Sequence, residues 1–291
     1  MSPRLAGTAR VAALALLWGS GFLWIKIGLE GFTPIQITLF RMALGAAVLL
    51  VILRLSGLSL PRDRKTWGHL TVAAFFGNAL PYLLFGIGEQ TVSSATAGVI
   101  NASTPLWTVL ITVLAYRNGT AARRNAWSLI IGFAGVLLIF SPWNHTSEIA
   151  SWGGLACLGA AASYGISYVY IGKFLVRQEL GVLRMATGQL ISATALTLAM
   201  VPLFNWSQST WEIGPVLAVL VLGTLGTGIA YILNYRIITD DGPTAASITV
   251  YLLPVVAVML GVSVLGERLE FHATAGTVLV LLAARLRRSD Q

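Results

Sequence analysis

The chain contains ten apolar runs, each separated from the next by a short polar or charged break. A helix needs roughly 20 predominantly apolar residues to cross a ~30 Å hydrocarbon core. Because lipid offers no hydrogen-bond partners, each run must satisfy its own backbone by forming a helix. The sequence therefore predicts an all-α integral membrane protein with ten transmembrane helices, spans 1 to 10, at residues 9–27, 34–55, 67–88, 94–116, 125–141, 152–172, 180–203, 213–235, 243–265 and 271–284.

The composition supports a membrane environment, since 56% of the residues are hydrophobic and only 10% are charged, far from the balance of soluble domains. The short alternating segments of an outer-membrane β-barrel are absent from the sequence. Span 1 follows two Arg residues, as a signal peptide would, but WGSGFLWIKIGLEG offers no small-residue cleavage site. We therefore expect span 1 to be a helix of the mature protein.

The basic residues lie almost entirely on one side of the predicted spans. Of the 19 Lys and Arg residues, all but Lys26, Arg41 and Arg268 fall in the N-terminal segment, the loops after even-numbered spans, or the C-terminal segment. By the positive-inside rule, this pattern predicts that the N- and C-termini are both cytoplasmic. The net charge of +8 is then a topology signal, and no nucleic-acid partner is expected.

Two halves of the sequence match each other at a constant spacing. Gly77, Tyr82, Ala97 and Pro105 each have an identical residue 149 positions later, at Gly226, Tyr231, Ala246 and Pro254. Because each half has an odd number of spans, five, the second half enters the membrane from the side opposite to the first. The matches therefore predict two inverted five-helix repeats, residues 1–145 and 146–291, within one membrane domain. Transporters built this way place their substrate near the membrane midplane, between the repeats.

The segment ALLWGSGFLWIKIGLEGFTPIQITLFRMALGAAVLL resembles the opening of the EamA-type drug/metabolite transporter (DMT) superfamily. Trp18, Phe22, Pro34 and Arg41 stand where that family has its Trp, aromatic, Pro and Arg residues. The segments SATAGVINASTPLWTVL and PTAASITVYLLPVVAVML resemble the family's fourth and ninth helices. Among members of the family, the chain is most similar to the bacterial inner-membrane exporters of aromatic amino acids. The resemblance covers nearly the whole chain. It implies a central cavity between the halves and a location in the bacterial inner (plasma) membrane.

The ends of the two matched helices differ. Gly266-Glu267 follows span 9, as in the family that the chain resembles, whereas span 4 ends on Arg117-Asn118. The resemblance therefore implies no paired role for the two ends.

Three prolines interrupt apolar spans and are predicted hinges: Pro81, Pro105 and Pro254. A proline inside a helix removes an amide donor and frees a carbonyl, which lipid cannot satisfy. We expect these prolines to face protein or a water-filled cavity. Ser103 and Thr104 precede Pro105. Their hydroxyls either hydrogen-bond to the freed carbonyls and to a solute or join neighbouring helices.

The polar residues in the middle of the spans are neutral or aromatic, and we predict that they line the substrate cavity. The candidates are Trp18, Ser20, Asn78, Tyr82, Asn101, Trp107, Tyr164, Ser167, Tyr168, Tyr231, Asn234 and Tyr251. They lie in spans 1, 3, 4, 6, 8 and 9, whereas spans 2, 5, 7 and 10 are dominated by aliphatic, Ala, Ser and Thr residues. Amide, hydroxyl and aromatic groups suit a zwitterion with an apolar side chain. For any one residue, packing in the protein interior is an equally good explanation.

Charged residues contribute little to the predicted cavity. The acidic residues nearest to the spans, Glu89, Glu212, Glu267 and Glu270, all lie at span ends. An exporter of organic cations that uses a mid-membrane carboxylate is therefore not favoured. Arg41 lies inside span 2, where it either snorkels outward, pairs with a loop acid or serves the cavity. A transporter of phosphorylated sugars would need several such cations.

These features predict a transporter that exports aromatic and other neutral amino acids by alternating access. The alternative is an exporter of other small metabolites or drugs in the same superfamily. A membrane enzyme is not favoured, because His69, His145 and His272 lack the spacing of metal ligands or of a catalytic cluster. A scaffold or sensor is disfavoured by the repeated mid-span prolines.

The expected partners are a small-molecule substrate and the lipid bilayer. No phosphate-binding loop of the Gly-x-x-x-x-Gly-Lys kind is present, so ATP is not expected as the driver. We expect no metal and no other cofactor, and a monomer is the simplest oligomeric state.

Overall fold

The computed structural model describes residues 3–115, 126–140, 143, 147, 150–204, 206, 209–253, 255–256, 275–276, 278–280 and 282. This part of the chain contains helices and no β-strand. The first-half α-helices are α1 (Pro3–Gly19), α2 (Gly21–Leu29), α3 (Pro34–Leu55), α4 (Arg64–Ala74), α5 (Leu80–Gly88), α6 (Ser94–Asn101), α7 (Thr104–Ala115) and α8 (Ala126–Phe140). The second-half α-helices are α9 (Trp152–Tyr170), α10 (Val182–Met200), α11 (Ile213–Gly223), α12 (Ala230–Asp241) and α13 (Pro243–Ile248).

Three of these α-helices continue directly into π-helical segments, in which each backbone hydrogen bond spans one residue more than in an α-helix. They are π1 (Phe75–Ala79), π2 (Ile171–Leu175) and π3 (Thr224–Ile229). Short 3₁₀ turns lie at Val176–Gln178, Val201–Leu203 and Thr249–Tyr251.

Within the described residues, seven helical stretches are long and apolar enough to cross a membrane. They are Gly7–Leu29, Pro34–Leu55, Arg64–Gly88, Thr96–Ala115, Trp152–Gln178, Val182–Leu203 and Ile213–Asp241, and they correspond to predicted spans 1 to 4 and 6 to 8. Span 5 corresponds to α8, which has 15 residues. Much of spans 9 and 10 lies outside the described residues, so the count of ten helices and their inverted arrangement stay predictions.

Several helices begin where a short polar side chain accepts a hydrogen bond from a free backbone amide of the first turn. The carboxylate of Asp63 accepts from the Thr66 amide at 2.8 Å and starts α4. The hydroxyls of Ser93 and Ser151 do the same for α6 and α9. Because the first amides of a helix have no partner within it, these side chains set the starting residues.

The two halves of the chain pack against each other through small residues. Helix α3 of the first half lies against α10, α11 and π3 of the second half. A methyl group added at Gly45 would lie 2.9 Å from Thr227 Cγ2, and one added at Gly223 would lie 2.6 Å from Leu44 Cβ. Such close helix contacts depend on residues without side chains, as is common in membrane bundles.

Two of the three predicted hinge prolines lie within the described residues. Pro105 follows a break in span 4, where residues 102–103 form a turn between α6 and α7. Pro81 is the second residue of α5, directly after π1. Both are buried in protein, and Pro254 lies outside the described residues. Their role as hinges stays a prediction.

Candidate substrate cavity

A cavity of about 70 Å³ lies in the bundle, with walls from both halves of the chain. Its volume exceeds the ~10–15 Å³ that one water molecule needs. Eight of the twelve candidate residues line it: Trp18, Tyr82, Asn101, Tyr164, Ser167, Tyr168, Tyr231 and Asn234. The structure thus brings together residues that are far apart in sequence, and their role in binding substrate stays a prediction.

The other four candidates do not line this cavity. Ser20 donates its hydroxyl to the Leu17 carbonyl at 3.2 Å, near the junction of α1 and α2. Trp107 packs against Gly165, and Tyr251 is buried in a separate apolar cluster with Val136. Asn78 is fully buried beneath the cavity wall, where it accepts a hydrogen bond from Gln189.

The walls of the cavity include two helices outside the six spans that hold the predicted candidates. The predicted set of cavity-lining spans, 1, 3, 4, 6, 8 and 9, is therefore incomplete, because Arg41 of α3 and Gln189 of α10 also line the cavity. Gln189 is a mid-span amide, which is the same signal that selected Asn78 and Asn234. It was missed because its span is otherwise dominated by apolar, Ser and Thr residues.

Arg41 is buried rather than oriented toward water, with only 6% of its surface exposed. Of the three roles that the sequence left open for Arg41, outward snorkelling is therefore excluded, and no carboxylate of the described residues forms an ion pair with it. Its Nε donates to the Thr227 hydroxyl at 3.2 Å. Its guanidinium carbon lies 3.9 Å from the centre of the Tyr82 ring, a distance at which a cation is attracted to an aromatic face.

Aromatic rings form a continuous cluster along one side of the cavity. Tyr164 contacts Tyr82, with ring centres 6.2 Å apart, and Phe85, with ring centres 6.0 Å apart. Phe85 in turn contacts Phe22 edge to face at 5.6 Å. Such rings present flat apolar surfaces with polar hydroxyl groups at their ends, which suits stacking against an apolar or aromatic solute.

Segment π1 exposes backbone carbonyls that side chains of the second half satisfy. The Ser163 hydroxyl donates to the Phe76 carbonyl at 2.8 Å, and the Tyr231 hydroxyl donates to the Gly77 carbonyl at 2.7 Å. In π3, Trp18 Nε1 donates to the Gly226 carbonyl at 3.2 Å. A non-α backbone is tolerated at membrane depth only where protein or cavity water can satisfy it, so these hydrogen bonds hold the two π segments in place.

A network of amide groups underlies the cavity. Gln189 Nε2 donates to Asn78 Oδ1 at 2.6 Å, and Gln189 Oε1 accepts from the Tyr235 hydroxyl. On the cavity wall, Asn234 is 4% exposed, and its Oδ1 has no hydrogen-bond donor among the described residues. A buried acceptor without a donor is costly, so Asn234 offers a binding position for an N–H group.

The described wall has few charged groups. Its lining is apolar and aromatic, with a few hydroxyl and amide groups and the single cation of Arg41. Among the described residues, no group of three or more His, Cys, Asp or Glu residues could hold a metal ion. A bundle of long apolar helices around such a buried cavity is the architecture of a membrane transporter.

Comparison with known sequences identifies the class of transporter. The model of the EamA-like transporter family matches residues 6–141 and again residues 151–287. The chain therefore belongs to the EamA-like transporter family, a membrane transporter family of the drug/metabolite transporter superfamily.

Individual relatives agree with this class. The uncharacterized transporter YdfC of Bacillus subtilis (strain 168) is 29% identical over 252 residues, which cover 86% of this chain and 80% of that protein. The uncharacterized inner membrane transporter YedA of Escherichia coli (strain K12) is 29% identical over 267 residues, which cover 89% and 82%. A solved crystal structure shares the fold with a TM-score of 0.74 at 20% identity, covering 98% of this chain and 99% of its own.

Proposed function

We propose that this transporter exports neutral amino acids, including aromatic ones, through the central cavity by alternating access. The observation that carries the proposal is the composition of the cavity wall. Four Tyr side chains and one Trp provide apolar faces, while Asn101, Asn234 and Ser167 provide polar groups without charge. This combination matches the apolar side chain and the amino group of a neutral amino acid.

The Asn234 carbonyl gives the proposal a specific contact. Its Oδ1 is buried on the cavity wall and has no donor among the described residues. A substrate ammonium group is a strong donor and would satisfy it. The resemblance to the aromatic amino-acid exporters supports the same substrate class.

We further propose that the chain forms ten helices in two inverted repeats, residues 1–145 and 146–291. The family match to each half supports this arrangement. The positions of two π segments support it as well, because π1 begins at Phe75 and π3 begins at Thr224, 149 residues later. This is the spacing that relates Gly77 to Gly226.

The substrate proposal is tested by transport in proteoliposomes. We expect purified protein to exchange labelled phenylalanine and other neutral amino acids, and Tyr164→Ala to reduce exchange at least about tenfold, because the solute loses an aromatic contact. Tyr170→Ala is the matched control, since Tyr170 lies on the same helix but contacts His69 outside the cavity. A wild-type protein that exchanges organic cations or other metabolites but no amino acid would contradict the proposal and favour the alternative substrates.

Thermal melting of each variant in detergent separates binding from packing. Loss of transport by Tyr164→Ala with a melting temperature close to that of Tyr170→Ala supports a binding role. Transport that falls only in step with melting temperature would assign Tyr164 to packing.

The inner-membrane topology with cytoplasmic termini is also a proposal, supported by the distribution of basic residues. Exposed Ser56 lies after α3 and exposed Gln90 lies after α5. Single cysteines at these two positions, on a Cys157→Ala background, should react with impermeant reagents from the cytoplasmic and the periplasmic side respectively. Labelling of both from one side would contradict the proposed topology.

A further inference from the structure

Arg41 is a buried cation on the cavity wall. Among the described residues, its charge has no carboxylate partner. Only 6% of its surface is exposed, and no Asp or Glu of the described residues pairs with it. No other residue that lines the described cavity carries a full charge at neutral pH. A buried charge without a partner is costly and is usually retained for a function.

The hydrogen-bonding capacity of Arg41 is mostly unused. A guanidinium carries five N–H donors, and among the described residues only the Nε–H has an acceptor, the Thr227 hydroxyl. This bond and the Tyr82 ring fix the orientation of the planar group. The terminal nitrogens then present a rigid pair of donors, which is the geometry that binds a carboxylate through two parallel hydrogen bonds.

The second half has a neutral amide at a similar depth, counted from the start of its helix. Arg41 lies seven residues after Pro34, the first residue of α3, and Gln189 lies seven residues after Val182, the first residue of α10. Gln189 is neutral, and both ends of its amide already bond to Asn78 and Tyr235. The described cavity wall thus has a single cation, which matches one carboxylate and is too little for a multiply charged phosphate.

We propose that Arg41 binds the carboxylate of the transported substrate, and that this contact makes the transporter selective for carboxylates over amines of the same shape. The inference rests on the proposed function of the cavity as the substrate site. With Arg41 at the carboxylate and Asn234 at the amino group, the two polar ends of an amino acid would each have a partner.

The experiment varies the ligand and the protein together. Three probes share one phenyl ring: phenylalanine, 3-phenylpropionate without the amino group, and 2-phenylethylamine without the carboxylate. Binding is measured by thermal shift in detergent, and transport by competition with labelled phenylalanine in proteoliposomes. The proteins are the wild type, Arg41→Gln, Arg41→Lys and the control Arg54→Gln, which removes an exposed cation from the same helix.

We expect the wild type to bind both carboxylates at least about tenfold more tightly than the amine, because charge-assisted hydrogen bonds to a buried cation are strong. Arg41→Gln should weaken binding of both carboxylates at least about tenfold and change binding of the amine less than about twofold. The affinity of Arg41→Lys for the carboxylates should lie between those of the wild type and Arg41→Gln, since this variant keeps the charge and loses the paired donors. Arg54→Gln should behave as the wild type.

The outcomes distinguish this inference from the proposed function. Equal weakening of all three probes by Arg41→Gln would overturn the carboxylate role and assign Arg41 to packing. Transport of phenylalanine that Arg41→Gln leaves unchanged would overturn the inference while the proposed function stands. Arg41-dependent binding of 3-phenylpropionate without transport of any amino acid would support the inference and overturn amino-acid export. If both Arg41 variants fail to fold, equal wild-type affinity for 3-phenylpropionate and 2-phenylethylamine overturns the inference, and a preference for the carboxylate supports it.

Discussion

The third and eighth predicted spans are both interrupted by a π segment at the matching position, but the two π segments are packed differently. Span 3 contains α4, π1 and α5, and span 8 contains α11, π3 and α12. The first residues of π1 and π3, Phe75 and Thr224, are 149 positions apart. Both segments contain a glycine whose carbonyl accepts a hydrogen bond from an aromatic side chain of the opposite half.

Only one of these two π segments has a proline just after it. Pro81 follows π1, whereas the matching position after π3 is Ala230, which has a backbone amide. The π geometry therefore does not require a proline. In both spans it coincides instead with a glycine whose carbonyl accepts a hydrogen bond from the other half.

The surroundings of the two glycines differ more than their backbones do. A methyl group added at Gly77 would contact the Ser167 hydroxyl and lie 3.0 Å from Gln189 Nε2. At Gly226, the nearest atom, the Val221 carbonyl oxygen, would lie at 3.8 Å, an ordinary contact distance. Segment π1 is thus packed tightly against α9 and α10, while π3 has space beside its glycine.

The largest expected effect is that of an alanine at each glycine. Gly77→Ala should lower the free energy of unfolding by about 1–3 kcal/mol, because overpacking displaces Ser167 and Gln189. Gly226→Ala should change it by less than about 1 kcal/mol. Thermal or denaturant unfolding in one detergent compares the two variants. Equal destabilisation would contradict the proposed difference in packing between π1 and π3.

The second-largest effect is expected from the hydrogen bond that the Gly77 carbonyl accepts. Tyr231→Phe removes the hydroxyl that donates to it at 2.7 Å. The loss should cost about 0.6 kcal/mol and at most about 1.7 kcal/mol, the average and the maximum from double-mutant cycles on hydrogen bonds between membrane helices. The matched control is Tyr168→Phe, since no acceptor among the described residues contacts the Tyr168 hydroxyl. A control variant as unstable as Tyr231→Phe would mean that loss of any cavity hydroxyl has this effect.

The smallest effect is expected at the starts of the two spans, outside the membrane. Asp63 accepts from the Thr66 amide and caps α4, whereas Glu212, 149 residues later, makes no side-chain cap at the start of α11. Asp63→Ala should lower the melting temperature slightly, because one amide of the first turn loses its acceptor. Glu212→Ala should leave it unchanged, and a decrease as large as that of Asp63→Ala would contradict this difference.

The contribution of Asp63 should depend on pH in a defined direction. The hydrogen bond from the Thr66 amide lowers the pKa of the Asp63 carboxyl below its ordinary value. A lowered folded-state pKa stabilises the fold above the unfolded-state pKa, and this stability is lost as the pH falls through the folded-state pKa. The difference between the wild type and Asp63→Ala should therefore disappear at low pH. A difference that persists below the folded-state pKa would show that the charge of Asp63 is not its source.

The fate of the predicted site residues shows which sequence signals were sufficient. Tyr82 and Tyr231 are mid-span tyrosines that also match across the two halves, and both line the cavity. Tyr251 and Trp107 have the same chemistry at similar depth, yet they pack elsewhere. The position of an aromatic residue within a span is readable from sequence, but the direction its side chain faces depends on the rotation of the helix against its neighbours.

The sequence by itself determined the solvent and the class of this protein. Runs of apolar residues long enough to cross a bilayer leave the backbone no alternative to helices, because lipid cannot satisfy peptide groups. The apolar lengths also located the described spans, and the repeated glycine, tyrosine and proline positions indicated the related halves before any coordinates.

Only the tertiary structure decided which polar groups meet at the cavity. Arg41 had three open roles in the sequence, and it became a cavity residue because close packing of α3 against π3 places its guanidinium between Thr227 and Tyr82. Gln189 entered the site in the same way, from a span that apolar composition had excluded. Helix rotation and close packing are set by glycine contacts between distant parts of the chain, such as Gly45 against Thr227, and a one-dimensional pattern does not specify these contacts.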